Sequence, residues 1–320
     1  MAETAQVTVR WLADGQIRSG DLSDTDAARA SGLTWVDVLG VEQGVLADLG
    51  ERFGLHPLAI EDTLHFPQRP KVDQYGDTFF LVWLTPVRED RDGVRMAEMD
   101  VFFGTGFIIT VHEEPLAAID KTVAEGACVM ERGTAALFHE IVDRLVDAVL
   151  PLVDDLADRL EDIEDVMLGS PRQDDLERLY RLRRELVVLH RVIGPERDVL
   201  RSLVRERELV DDDAYRYLQN VGDHLARVED SIETARDVAA AIMDIYLSAV
   251  NNRMNQIMKQ LTVVATIFMP LTLMSGIYGM NVIKGMWPPV EAAWSFFAVV
   301  GVMLAVAVGM ASYFRRKLWW

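Results

Sequence analysis

Between Leu261 and Asn281 the chain reads LTVVATIFMPLTLMSGIYGMN, without one charged side chain. At spacings of three or four, Asn255, Met258, Leu261, Ala265, Met269, Thr272, Gly276 and Gly279 share one face of a helix. That face offers amide, thioether, hydroxyl and bare backbone. One chemistry it supports is a pore built from several copies and lined by neutral groups. Pro270 has no N–H for the carbonyl of Thr266, and a carbonyl freed in this way is tolerated beside a packed or wet interior. The same face also suits close helix packing through small residues, and a proline kink needs no function.

The elements that position this face follow from hydropathy. Residues 261–283 and 292–314 carry no charge between Leu261 and Ile283 and between Ala292 and Phe314. Each run exceeds the roughly 20 residues that a helix needs to cross a bilayer. The expectation is a large soluble part followed by two spans, with a short outer loop over 284–291. Arg253 and Lys259 precede the first span, and Arg315, Arg316 and Lys317 follow the second. Excess basic residues mark the cytoplasmic side, so both termini are expected there, with 315–320 as a basic tail. The N-terminus shows no basic region followed by an apolar one, so no signal peptide is expected.

The 320 residues carry a net charge of −19, mostly in the soluble part. That excludes a nucleic-acid partner, since phosphate binding needs a basic face, and it suits a protein that handles cations. Solubility alone would also account for it. Cys128 is the single cysteine, so an intrachain disulfide and a cysteine metal cluster are excluded. The six histidines are scattered, and phosphate-binding glycine loops and nucleophile elbows are absent, so nothing points to an enzyme or an organic cofactor. His56, before Pro57, is expected to cap a turn. His112-Glu113-Glu114 has metal-ligand chemistry, but its place at a strand end is the simpler reading.

Residues 1–133 read as a cytosolic α/β domain. QVTVRWLADGQIRS alternates around Asp14-Gly15 and predicts a hairpin. LTWVDVLG, DTFFLVWLTPV, VRMAEMDVFFG and GFIITVHE predict further strands, and VEQGVLADLGERFG a helix. Residues 134–168 and 171–204 are leucine- and valine-periodic and predict a helical hairpin over 134–206, with Pro171 in the opening turn of its second helix. No proline or glycine lies between Gly222 and Pro270, so one helix is expected to run as a stalk over 207–260 and on into the first span, roughly 100 Å in all. Such a helix needs lateral partners, and an oligomer is expected.

Tyr278-Gly279-Met280-Asn281 closes the first span, ATIFMPLT precedes it, and LHPLAIEDTLHFPQRPKVD lies in the soluble part. In these three places the sequence resembles the CorA family of divalent-cation channels, whose hallmark is a Gly-Met-Asn triplet after the first membrane helix. The resemblance covers nearly the whole chain. It implies a funnel-shaped homopentamer in a cell membrane that carries Mg²⁺, with Co²⁺ or Ni²⁺ as further ions. Gly279, Met280 and Asn281 match the triplet, so Asn281 would set a ring of amide carbonyls at the outer mouth. Mg²⁺ gives up its water reluctantly, and neutral oxygens can hold the hydrated ion without trapping it. Asn255 matches a polar ring, Leu261 and Met269 match hydrophobic constrictions, and Thr272 and Gly276 match wider positions.

The resemblance also implies a regulatory Mg²⁺ site between subunits. Glu89 and Asp90 match its first partner by position. Asn220 stands where the family would have an acid, with Asp223 one turn away. The acidic run Asp154, Asp155, Asp158, Glu161 and Asp162 could bind ions too, although a solvated helix face is the plainer reading. A zinc transporter of the same fold, resembling the ZntB branch, remains the close alternative, and a non-conducting membrane-anchored sensor or scaffold a more distant one.

Overall fold

The computed structural model describes residues 5–89, 93–169, 171–205, 212–280 and 293–317. Asp90, Asn281 and the 284–291 loop lie outside them, and the side chain of Glu89 is not described. By its contacts the chain divides into two compact units, Met1–Ile242 and Met243–Trp320.

The first unit is built on one mixed sheet with strand order β2-β1-β3-β7-β6-β5-β4. β1 (Gln6–Ala13) and β2 (Gln16–Gly20) form the hairpin that Asp14-Gly15 predicts. Both turn residues have positive φ, 54° and 72°, which matches the twist of the flanking strands. β3 (Thr34–Leu39) pairs antiparallel with β1 and parallel with β7 (Phe107–His112). β4 (Lys71–Tyr75), β5 (Thr78–Glu89) and β6 (Gly93–Gly104) complete the sheet antiparallel.

One sheet face carries Val9, Val36, Val38, Phe80, Val82, Phe102, Ile109 and Val111, packed with Leu46, Leu49 and Phe53 of α2 (Gln43–Phe53). α1 (Thr25–Ser31) and α3 (Pro57–Thr63) adjoin the same core through Ala28 and Ala59. His56 caps α3: its Nδ1 accepts the Leu58 N–H at 3.2 Å. The other face carries Trp35, Phe79, Trp83 and Met99, all fully buried, and Phe103, whose ring stacks on Phe138 at 4.5 Å. Helices α4 (Ala117–Met130) and α5 (Thr134–Asp147) follow. α1, α3, β4 and α4 were not foreseen from the sequence, because they are short or lack a clean period.

Three longer helices share one sequence logic. α6 (Leu150–Gly169) buries Val153, Leu156, Leu160, Ile163 and Met167. α8 (Asp212–Gly279) buries Leu218, Val221, Leu225, Val228, Ile232, Ala235, Ala239 and Ile242. These alternate by three and four, the spacing of a coiled-coil seam. The charges fall outside it: Asp154, Asp158, Glu161 and Asp162 are exposed, as a solvated face requires. The stretch 134–168 is two helices rather than one. α5 ends at Asp147, and Pro151, which has no N–H to donate, sits in the first turn of α6. Likewise Pro171 precedes α7 (Gln173–Arg205) rather than opening it, because the Asp175 carboxylate accepts the Arg172 N–H at 3.0 Å.

α7 follows the same seam through Leu179, Leu182, Leu186, Leu189 and Ile193, then places Glu196 where the next apolar residue belongs. Only 1% of Glu196 is exposed. Its Oε1 accepts the Leu84 N–H at 2.9 Å. β4 pairs with β5 only as far as Val82, so Leu84 lies past the end of that ladder. The carboxyl thus supplies an acceptor that the sheet does not. Burial pushes the Glu196 pKa well up, the Leu84 hydrogen bond opposing it only in part. A carboxyl whose folded pKa exceeds its unfolded value loses its stabilising contribution as pH rises through the folded pKa. Glu196→Gln keeps the acceptor without the charge. Its melting temperature should match wild type near pH 4.5 and exceed it increasingly towards alkaline pH, by about 2–4 °C per kcal/mol, measured by thermal unfolding.

Candidate functional site

The second unit holds the apolar part of α8 and α9 (Ala293–Arg316). Both helices contain windows long and apolar enough to cross a membrane. Within α8, exposure divides by face. Leu261, Met269, Thr272 and Gly276 are exposed, as are Asn255 and Met258 below them and Gly279 and Met280 at the end. Met269 is 72% exposed, the side opposite holds Val263 at 5%, and Ile267, Pro270 and Met274 there are half-buried. The face of Leu261, Met269, Thr272 and Gly276 is therefore uncovered in a single copy, together with Val264, Phe268 and Leu273 beside it. A shallow groove runs along it, lined by Ala265, Met269, Thr272, Gly276 and Met280 among others.

The polar groups on this segment are arranged by the helix itself. Thr272 Oγ1 donates to the Phe268 carbonyl at 2.9 Å, and Thr262 and Thr266 bond the Met258 and Thr262 carbonyls in the same way, at 2.8 and 2.7 Å. Each hydroxyl proton is thus spent inside the helix. What Thr272 turns outward is an oxygen lone pair, an acceptor for a cation or for the hydrogens of its water. The helix continues through Pro270 to Gly279. The face thus offers hydroxyl oxygens and apolar side chains, and no carboxylate.

The residues expected at a regulatory site between subunits lie on separate elements of one chain. Glu89 ends β5 opposite Gly93, and its neighbour Arg88 pairs with Asp155 at 2.9 Å. Asp223 is exposed and lines a groove with Arg201 and Arg205. Asn220 is 3.3 Å from Nε2 of His224, one turn along α8. His224 in turn sets its Nδ1 3.7 Å from Asp147 Oδ1 and 4.0 Å from Asp143 Oδ1. These three ligand atoms lie within 4.8 Å of one another. His224 Nδ1 and Asp143 Oδ1 are both buried without a hydrogen-bond partner. Burial raises the Asp143 pKa, and the charge of Asp147 raises it further.

Two unpaired buried atoms that face each other at 4 Å fit a bridging ion better than a direct hydrogen bond. One imidazole and two carboxylates suit Co²⁺, Ni²⁺ or Zn²⁺ better than Mg²⁺, which favours oxygen alone. Asn220 can serve either histidine tautomer. Its amide nitrogen donates to a bare Nε2, and its oxygen accepts from Nε2–H when Nδ1 holds a metal. Sequence reading missed Asp143 and Asp147 because they are two acids among many on helices, and only the fold sets them against His224. His112 is no ligand: Nδ1 contacts the Glu114 carbonyl at 2.6 Å and Nε2 the Asp37 carboxylate at 3.1 Å.

A family model described as CorA-like Mg²⁺ transporter protein matches residues 30–316. The chain belongs to this CorA family. The cobalt/magnesium transport protein CorA of Thermotoga maritima is 33% identical over 293 residues, covering 89% of this chain and 83% of its own. The zinc transport protein ZntB of an Enterobacter species is 24% identical over 320 residues, covering 97% and 94%. In fold, the chain matches the complete structure of the CorA magnesium transporter from Methanocaldococcus jannaschii, with a TM-score of 0.86, 24% identity, and coverage of 99% and 100%. The CorA family is one of metal-ion transporters, and membership identifies the two apolar helices as the spans of a membrane protein.

For this CorA chain the Asp143–Asp147–His224 cluster makes a direct prediction. Titration of the full-length protein with Co²⁺, followed by visible absorption, should show a bound species. It should weaken markedly in His224→Ala. Asn220→Leu, which touches only the far ring nitrogen, should weaken it by about 10- to 100-fold.

Proposed function

We propose that the chain is one subunit of a homopentameric channel that admits Mg²⁺ to the cell, with Co²⁺ and Ni²⁺ as further ions. The observation that carries this reading is the uncharged face of α8 that one copy leaves uncovered. Five copies would turn that face inward around an axis and leave the opposite faces to other helices and lipid. Asn255 would form the inner polar ring. Leu261 and Met269 would form constrictions that close by excluding water, and Thr272 and Gly276 the wider, oxygen-lined levels. Gly279 and Met280 would carry Asn281 to the outer mouth, where its amide meets the hydrated ion. The basic residues flanking the spans put both termini in the cytoplasm of a cell membrane.

Regulation by cytosolic Mg²⁺ belongs to the same proposal. Acids at subunit boundaries repel without the ion, and ion binding draws them together. Glu89 and Asp90 are the candidates on the sheet domain, and Asn220 with Asp223 those on the stalk. The identity of the protein named cobalt/magnesium transport protein, 33% against 24% for the zinc transport protein, favours the magnesium reading.

Reconstitution into liposomes tests the transport reading. Wild type should take up Mg²⁺ and Co²⁺, and Asn281→Ala should remain an intact pentamer with uptake nearly abolished. Normal flux in that variant would remove Asn281 from the entry site. Uptake of Zn²⁺ in preference to Mg²⁺ would transfer the chain to the zinc branch, and no flux of any ion would leave a sensor or scaffold.

A further inference from the structure

Asp100 and Glu98 lie two residues apart on β6, on one side of the sheet, where alternation would place apolar residues. The register sets Asp100 beside Val111 on one side and Val82 on the other, with Lys71 beyond Val82. Asp100 is fully buried, and Glu98 is 8% exposed. Both oxygens of Asp100 and Oε1 of Glu98 are buried without a hydrogen-bond partner. The fourth oxygen, Glu98 Oε2, accepts the Gln68 N–H at 2.5 Å. Gln68 lies between α3 and β4, so this contact ties the connection over 64–70 to the sheet.

The groups around the pair leave it without a counter-charge of its own. On α3, the Thr63 hydroxyl donates to the Ala59 carbonyl at 3.1 Å, so its proton is already committed. On β4, Lys71 is held by Asp62 of α3 and by Asp73, at 3.3 Å from the latter. Beyond β7, Glu113 adds a further negative charge towards Glu98. Two buried carboxylates with one amide between them and a lysine already doubly engaged cannot both stay ionised cheaply. No third ligand among the described residues completes a metal site here, since the one such group is Asp143, Asp147 and His224.

We propose that Glu98 and Asp100 form a proton site, holding one proton between their facing carboxyls, and that its loss releases the 64–70 connection from the sheet. With the proton in place, one acid donates to the other and Glu98 Oε2 is free to accept from Gln68. Without it, two like charges face each other in an apolar layer, and Glu98 gains by swinging towards water. Burial is the main cause that pushes Glu98 up to about 7 and Asp100 well above an ordinary aspartate. Loss of the last proton, which leaves two like charges, follows the first at higher pH, so the release falls on the alkaline side of neutral. The site makes the sheet domain responsive to protons independently of any divalent cation, and it does not rest on the transport reading.

Hydrogen exchange on the full-length protein in detergent tests it, with each amide corrected for its intrinsic pH dependence. In wild type, protection at Gln68 and its neighbours should stay level up to neutral pH and fall on the alkaline side, approaching about tenfold per unit above the titration midpoint. In Asp100→Asn and in Glu98→Gln/Asp100→Asn, protection there should be nearly flat. A flat wild-type profile, or an equal fall in both variants, would overturn the proposal. Infrared spectroscopy in a Glu196→Gln background, which removes the other deeply buried carboxyl, gives a second measurement. A protonated-carboxyl band should persist at neutral pH and disappear in more alkaline solution, and its absence at neutral pH would also overturn the proposal.

Discussion

Hydrocarbon offers no partner to a backbone amide, to a hydroxyl or to an ion, and this constraint shapes α8. Each unpaired polar group inside a bilayer costs several kcal/mol, so the chain must satisfy its backbone within the segment. A helix does so, and Thr262, Thr266 and Thr272 bond their protons into the same helix. What the helix turns outward is the oxygen lone pair of Thr272 and the bare backbone at Gly276 and Gly279, and Pro270 has no N–H for the carbonyl of Thr266. On a lone helix in lipid these groups are a liability. Around a wet axis they are what a hydrated divalent cation can use. The proposed function follows from that asymmetry, with family membership setting the class of ion.

The soluble unit answers a different problem. A long, heavily charged helix is marginal in water unless an apolar stripe is covered. The three-four seams of α6, α7 and α8 provide that cover, and the acids fall on the remaining faces. Where charge does enter the interior, it is placed: Glu196 meets an unpaired strand amide, Asp37 meets His112 and Thr110, and Arg197 pairs with Glu229. Both ring nitrogens of His112 face acceptors, so this imidazole favours its protonated form, as its raised pKa indicates. The Asp143–His224 and Glu98–Asp100 groups, by contrast, hold buried polar atoms without a hydrogen-bond partner.

Periodicity carried much of the fold. The alternation around Asp14-Gly15, the apolar strands and the long run without proline or glycine before Pro270 each became the element expected. The helix wheel separated the two sides of α8 only in part: the expected face is exposed, but so are Val264, Phe268 and Leu273 beside it. Failures came where local signals were weak or tertiary contact decided. α1, α3 and β4 are short, Pro151 was not read as a helix start, and Pro171 stands outside α7 because of the Asp175 side chain. The candidate metal site was illegible for a further reason: Asp143 and His224 are 81 positions apart in sequence, and only packing brings them together. Glu196 breaks a heptad pattern, a signal that was present in the sequence and passed unread.

The central claim is that water and ions meet one face of α8. Single cysteines test this most directly, introduced after Cys128→Ser because Cys128 is the only native thiol. Positions 269, 272 and 276 should react with a membrane-impermeant thiol reagent in reconstituted protein and be protected by divalent cation, whereas 267 and 274 should stay unreactive. Reaction at 267 and 274 with silence at 269, 272 and 276 would contradict the account, because the wet face would then be the one shielded in the single chain.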